Sequence, residues 1–273
     1  MIFDIANIAP HDAWVMVHAQ AAKGNKGIDP HLVCFRYFSI DRAGAKATQE
    51  RSLFVDHRLY FAQTNQYSDH AEFAFDLAPS SFRDWIRQRI GIEIAAAEGD
   101  PLADADQAPL IRAAIGARLT TGIRVCCFTD DPRSRYMWTH YAANFSGYVV
   151  AFRVASFHGI TTIPKPVKYT DAVPLLDANT AFDNPEDFTR VVFRKSTTFA
   201  PEQEFRSVLW TPKPHDGWVQ LPADAIAFVV LGHEMDGETR HYVESLILEE
   251  HPNLPIGITI PCHGEVVFSG SLR

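Results

Sequence analysis

The segment FAPEQEFRSVLW, residues 199–210, sets two carboxylates and a guanidinium at alternate positions: Glu202, Glu204 and Arg206. Side chains two apart on a strand point the same way, so a strand here presents all three groups on one face at its start. A carboxylate held by such neighbours is suited to binding a ribose hydroxyl and stabilising a developing cation, with Arg206 orienting it or meeting an anionic substrate. The plainer alternative is a solvated strand end where Glu204 and Arg206 form a weak surface pair.

A second charged group interrupts the apolar run LVCFRYFS, residues 32–39. Arginine is almost never fully buried unless it is paired or holds an anion, so Arg36 is either a phosphate clamp or one half of a structural ion pair. In SRYMWTHYAANFSGYVVAF, residues 134–152, Trp138, Tyr141, Ala142 and Phe145 recur at helical spacing and form a core-facing stripe. His140 falls with Met137 and Asn144 on the neighbouring side, as a structural hydrogen-bonder or as a group facing a cavity. Gly147 is expected to end that helix and start the next strand. The stretch RLYFAQTNQYSDHAEF, residues 58–73, runs a short strand into a polar turn, with Tyr60 and Asp69 as its functional candidates and turn chemistry as the alternative. In GHEMDGETRH, residues 232–241, a glycine turn and an acidic helix start account for the histidines and acids without a metal.

Positioning these groups falls to elements of modest length. Periodicity and breakers predict helices at 11–22, 42–52, 80–97, 108–118, 135–144, 186–195 and 238–250. Strands are predicted at 32–38, 58–62, 123–128, 147–154, 162–169, 203–210, 217–220, 226–231, 256–260 and 265–271. Helices thus concentrate in the first half and strands crowd together after residue 200. That order favours α+β with a mixed or antiparallel sheet over a doubly wound fold, in one domain spanning 1–273.

The chain of 273 residues is 47% hydrophobic and carries a formal net charge of −8. It can bury a substantial core, and no strong general nucleic-acid grip is expected of it. Neither a signal-peptide pattern nor a run of roughly 20 apolar residues is present, so a cytoplasmic chain without membrane attachment is expected. Four cysteines lack C-x-x-C spacing and are expected to be reduced and structural. The fingerprints of Rossmann dehydrogenases, P-loop NTPases, zincins and α/β-hydrolases are all missing.

Taken in order, R-Y, then L-Y-F, then C-F-T with M-W-T-H-Y-A and a following G-x-x-x-x-F, then V-x-Y, then a lysine ahead of E-x-E-F-R, the chain from about Phe35 to Gly232 resembles a bacterial and phage family catalogued as a domain of unknown function. The polar turn departs from the family's F-N-D-P-F-[DE], keeping only Asp69 and the later acid. A second similarity is to ADP-ribosyltransferases of the arginine–serine–glutamate type, which read NAD without a Rossmann fingerprint. That likeness implies an ADP-ribosyltransferase-like fold and NAD as the dinucleotide substrate, with an unknown acceptor. Arg36 would then clamp the phosphates, Glu204 would be the catalytic carboxylate and Glu202 the acceptor-side one. No Ser-Thr-Ser stands near residue 60, so the nicotinamide side would fall to Tyr60, or to Tyr141 and His140, with Trp138 or Tyr141 stacking on a planar ring. Two other readings stay open: a non-catalytic recognition or sensor module with a buried polar network, and a metal-dependent hydrolase or nuclease using Asp69, Glu202 and Glu204.

Overall fold

The structure, a computed structural model, describes residues 33–40, 48–69, 71–78, 108–177, 185–211, 215–262 and 265–269. The helices expected at 11–22 and 80–97, and most of that at 42–52, lie outside the described residues. The strands are β1 (Val33–Phe38), β2 (Arg58–Tyr60), β3 (Ala62–Gln63), β4 (Asp76–Leu77), β5 (Ile123–Thr129), β6 (Tyr148–Arg153), β7 (Lys165–Pro166) and β8 (Lys168–Tyr169). They continue with β9 (Leu175–Leu176), β10 (Arg194–Lys195), β11 (Glu204–Trp210), β12 (Trp218–Gln220), β13 (Ile226–Leu231), β14 (Ile256–Cys262) and β15 (Glu265–Ser269). The α-helices are α1 (Gln49–Phe54), α2 (Ala108–Gly122), α3 (Arg135–Tyr141), α4 (Pro185–Val192) and α5 (Gly237–Glu250).

One nine-stranded mixed sheet organises the chain in the order β15-β14-β13-β6-β1-β5-β11-β7, with β3 also on β5. Its central strands are rich in β-branched and aromatic residues, and Tyr148 to Phe152 of β6 are buried without a break because both faces are covered. The β13–β14 pair is parallel and needs a crossover, which α5 supplies. Asp236 starts that helix by accepting from the Thr239 N–H at 2.9 Å, as the acidic helix start in the sequence suggests. α+β with a mixed sheet is therefore the class.

Side chains from α1 and α5, including Leu53, Phe54, Val243 and Ile247, cover one face over Cys34, Cys126, Val150 and Val229. The other face carries two patches. Met137 and Trp138 of α3 pack on Phe35, Tyr37, Val149 and Val230. Ile115 and Leu119 of α2 and Phe188 and Val191 of α4 pack on Val125 and Val208. Cys126 and Cys127 go to opposite faces, and Cys34, Cys126 and Cys127 are free thiols. Among the described residues no helix is long and apolar enough to cross a membrane.

Candidate functional site

The sheet opens along one edge of β5. The far end of β5 meets β1 at a single registered pair, Phe35 with Thr129, and its near end meets β3 through Val125 and Arg124. Between those two pairings no strand among the described residues lies beside the backbone of β5 on that side. Side chains fill the place: Arg36 Nη1 donates to the Cys127 carbonyl at 2.9 Å and the Tyr67 hydroxyl donates to the Val125 carbonyl at 3.1 Å. Buried backbone carbonyls need such partners when the ladder stops. Over this opening lies a cavity of about 250 Å³, lined by Phe35, Arg36 and Tyr37 of β1, Tyr67 and Asp69 of the polar turn, Tyr141 of α3, and Lys195, Phe199, Glu202 and Glu204.

The floor of the cavity is a buried ionic cluster. Lys195 Nζ donates to Glu202 Oε2 at 2.6 Å and to Glu204 Oε2 at 2.5 Å, and Glu72 Oε1 stands 3.6 Å away. Arg206 Nε donates to Glu204 Oε1 at 2.5 Å, and its Nη2 donates to Glu72. The same guanidinium donates through Nη1 to the carbonyl of Val192, the last residue of α4, so it also closes the negative end of that helix. The Tyr141 hydroxyl donates to Glu202 Oε1 at 2.6 Å. Every oxygen of Glu202 and Glu204 is thus engaged, yet a carboxylate has about four acceptor sites and retains capacity for a ligand hydroxyl. Three carboxylates face two cations here, and Arg36, which lines the same cavity with its Nε buried and without a partner, adds a third.

Burial sets the electrostatics. Glu204 is pushed above the usual carboxylate range by loss of hydration, against the pull of Lys195. Burial works against the charged form of Lys195, but the adjacent Glu204 overrides it and the ammonium is held more tightly than in water. Arg206 is lowered to about 10 by burial and stays charged at neutral pH. Tyr141 and Cys127 are both raised, first by burial and then by the neighbouring carboxylates, which keeps both protonated. What results is a fixed array of charge in a small, aromatic-walled space, the kind of arrangement that stabilises charge developing on a bound molecule.

The sequence candidates divide. Arg36, Asp69, Tyr141, Glu202 and Glu204 line the cavity together. Asp69 also shapes the turn, accepting from the Ala71 N–H at 2.9 Å. Glu202 is not on the strand: it ends a 3-10 turn, Thr197–Glu202, and Gln203 in the left-handed region turns the chain before β11 begins. The two carboxylates meet through Lys195 rather than by strand alternation. Nor is Glu204 with Arg206 a solvated pair, since Arg206 is 0% exposed and sits beneath the cavity rather than on its wall. Trp138 belongs to the core, 0% exposed, with Nε1 donating to the Pro132 carbonyl at 2.9 Å. His140 is exposed and packs on Tyr136. Tyr60 sits outside the cavity, donating to Gln66 Oε1 at 2.9 Å and packing edge-on against Trp218.

Tyr141 leaves the stripe of its helix neighbours because α3 stops there. Ala143, Asn144 and Phe145 all take positive φ, and this turn frees Tyr141, 41% exposed, to reach Glu202. Two residues that complete the cluster were given no role by sequence reading. Lys195 sits on two-residue β10, and Glu72 comes from 134 positions away from its partner Arg206. Its place as the later acid of the polar turn was the one available signal for Glu72. No protein-family model, curated protein or solved structure matches the chain.

Proposed function

We propose that this cavity binds the nicotinamide-ribose end of NAD and that the chain cleaves the bond between them, passing ADP-ribose to an acceptor or to water on an ADP-ribosyltransferase-like scaffold. The reading keeps its kinship with the bacterial and phage family of unknown function named above. The observation that carries it is that Arg36 and both carboxylates of the E-x-E, from segments 166 and 168 positions apart, line one cavity. The cavity of about 250 Å³ lies just below the usual range for small-molecule sites and suits one end of a dinucleotide, with the rest extending past its mouth.

In such a reaction the pyridinium nitrogen keeps the electron pair of the broken bond and nicotinamide leaves neutral. The positive charge passes to the ribose, where Glu204, fixed by Lys195 and Arg206, opposes it. Arg36, whose Nε has no partner, would meet the diphosphate. An acceptor that adds to the ribose carbon would pass its proton to Glu202, which Tyr141 and Lys195 hold in place.

A second reading is favoured by the complete pairing of Glu202 and Glu204: a recognition module whose polar cluster specifies the fold. Incubation with NAD while free nicotinamide is followed separates the two. Turnover that falls on the order of 10²–10³-fold in Glu204→Gln, at a temperature where circular dichroism shows the variant folded, supports cleavage. NAD binding without release favours the recognition module, and absence of NAD binding overturns the cleavage reading. The metal-dependent reading has no supporting observation, as no group of three or more His, Cys, Asp or Glu among the described residues is arranged to hold an ion.

A further inference from the structure

A larger cavity, about 610 Å³, lies where β5 begins and β11 ends. Gln63 of β3 lines it, whereas the preceding Ala62 lines the site described above, so this short strand stands between the two spaces. Its wall differs in charge. Arg118, Arg124 and His215 line it, and among the described residues no carboxylate does. Asp216, next to His215, is engaged by Arg58 Nη2 at 3.1 Å.

Arg124 is the informative residue. It is 7% exposed, it has no ion pair among the described residues, and its buried Nε has no hydrogen-bond partner; its Nη2 donates to the His215 carbonyl. A guanidinium that is itself buried, keeps an N–H unsatisfied and lines an open cavity favours an anion at that wall, because burying an unpaired polar group is costly. Arg118 extends over the Phe188 ring at 5.7 Å and adds a second positive charge. Trp210, at the end of β11 and 43% exposed, lines the same cavity edge-on to Phe188. An exposed indole beside two guanidiniums offers a stacking surface for a flat ring.

We infer that this cavity is a second binding site, separate from the first, for a nucleoside monophosphate or a similar planar ring bearing an anionic group. Its volume falls within the range of sites for such molecules. Arg124 and Arg118 take the phosphate and Trp210 takes the ring.

Titration calorimetry of the full chain with AMP, adenosine and inorganic phosphate tests the assignment. AMP is expected to bind saturably, with adenosine and phosphate each weakened at least 10-fold. Arg118→Gln and Trp210→Ala, both at exposed positions, are expected to weaken AMP at least 10-fold without altering the melting temperature. Tyr141→Phe, in the other cavity, is expected to leave AMP binding unchanged. Loss of AMP binding in Tyr141→Phe with retention in Arg118→Gln would assign the ligand to the first site and overturn the proposal. So would absence of AMP binding at millimolar concentration, or phosphate binding as tightly as AMP.

Discussion

Lys195 holds Glu202 and Glu204 at 2.6 and 2.5 Å while a third carboxylate, Glu72, stands 3.6 Å off. Removing the ammonium leaves buried negative charges facing one another with Arg206 as the sole remaining cation of the floor. Lys195→Met is therefore expected to cost about 3–5 kcal/mol, the range for breaking a buried pair from one side, as read by urea unfolding. A loss under about 1 kcal/mol would mean that the cluster is hydrated in solution. Asp130 provides a separate test by pH. Burial, with Asp131 beside it, raises Asp130 from 3.8 to about 6, and its Oδ1 is buried without a partner. The folded chain holds that proton more tightly than the unfolded chain, so the contribution to stability is full below about pH 4 and is lost as pH rises through 6. Asp130→Asn should gain in Tm over the parent between pH 4 and 7, and a difference that stays constant across that span would refute the assignment. These side chains show where sequence reading stops. Arg36 and the E-x-E stood out because charge interrupts apolar runs, whereas Lys195 gives no such signal in its own neighbourhood. Helical spacing puts Trp138 on a core-facing stripe and the packing agrees, whereas for His140 the pattern leaves a cavity-facing role open and only the packing tells that it faces solvent.

The turn after α3 decides what Tyr141 can do. Gly147 and Gly232 enclose that turn: a Cβ on Gly147 would overlap the Phe38 carbonyl oxygen, and one on Gly232 would overlap that of Phe145. Gly147 is thus required by close approach of backbones rather than as the end of a helix, which has already stopped at Tyr141. Gly147→Ala and Gly232→Ala are each expected to displace the turn and lower Tm by several degrees, with loss of the hydrogen bond from Tyr141 to Glu202. A crystal structure of either variant with Tyr141 still on Glu202 would contradict this. The strands themselves were legible. β13 occupies the predicted 226–231, and β1, β5, β6 and β11 lie within a residue or so of expectation, because β-branched and aromatic runs between turn residues carry a local signal. The expected strand at 162–169 instead splits into β7 and β8, which pair with different partners, and such a division is set by tertiary contacts that no local pattern encodes.

At the scale of the whole molecule, the large sheet runs from β1 near one end of the described chain to β15 near the other, and it carries apolar packing on both faces. Unfolding is expected to be a single transition, with far-ultraviolet circular dichroism and tryptophan fluorescence coinciding in urea. Two separated transitions would show that part of the sheet unfolds on its own. The ionic floor depends on that integrity, since Glu72 reaches Lys195 and Arg206 from a distant stretch of chain. Its energetic weight also changes with heat. Water solvates ions less favourably as temperature rises, so the penalty for keeping Glu72, Lys195, Glu202, Glu204 and Arg206 dry shrinks on warming and grows on cooling. Apolar burial weakens on cooling as well. A chain with five buried charged groups gathered at one cavity is therefore placed to lose stability in the cold sooner than one whose core is apolar throughout.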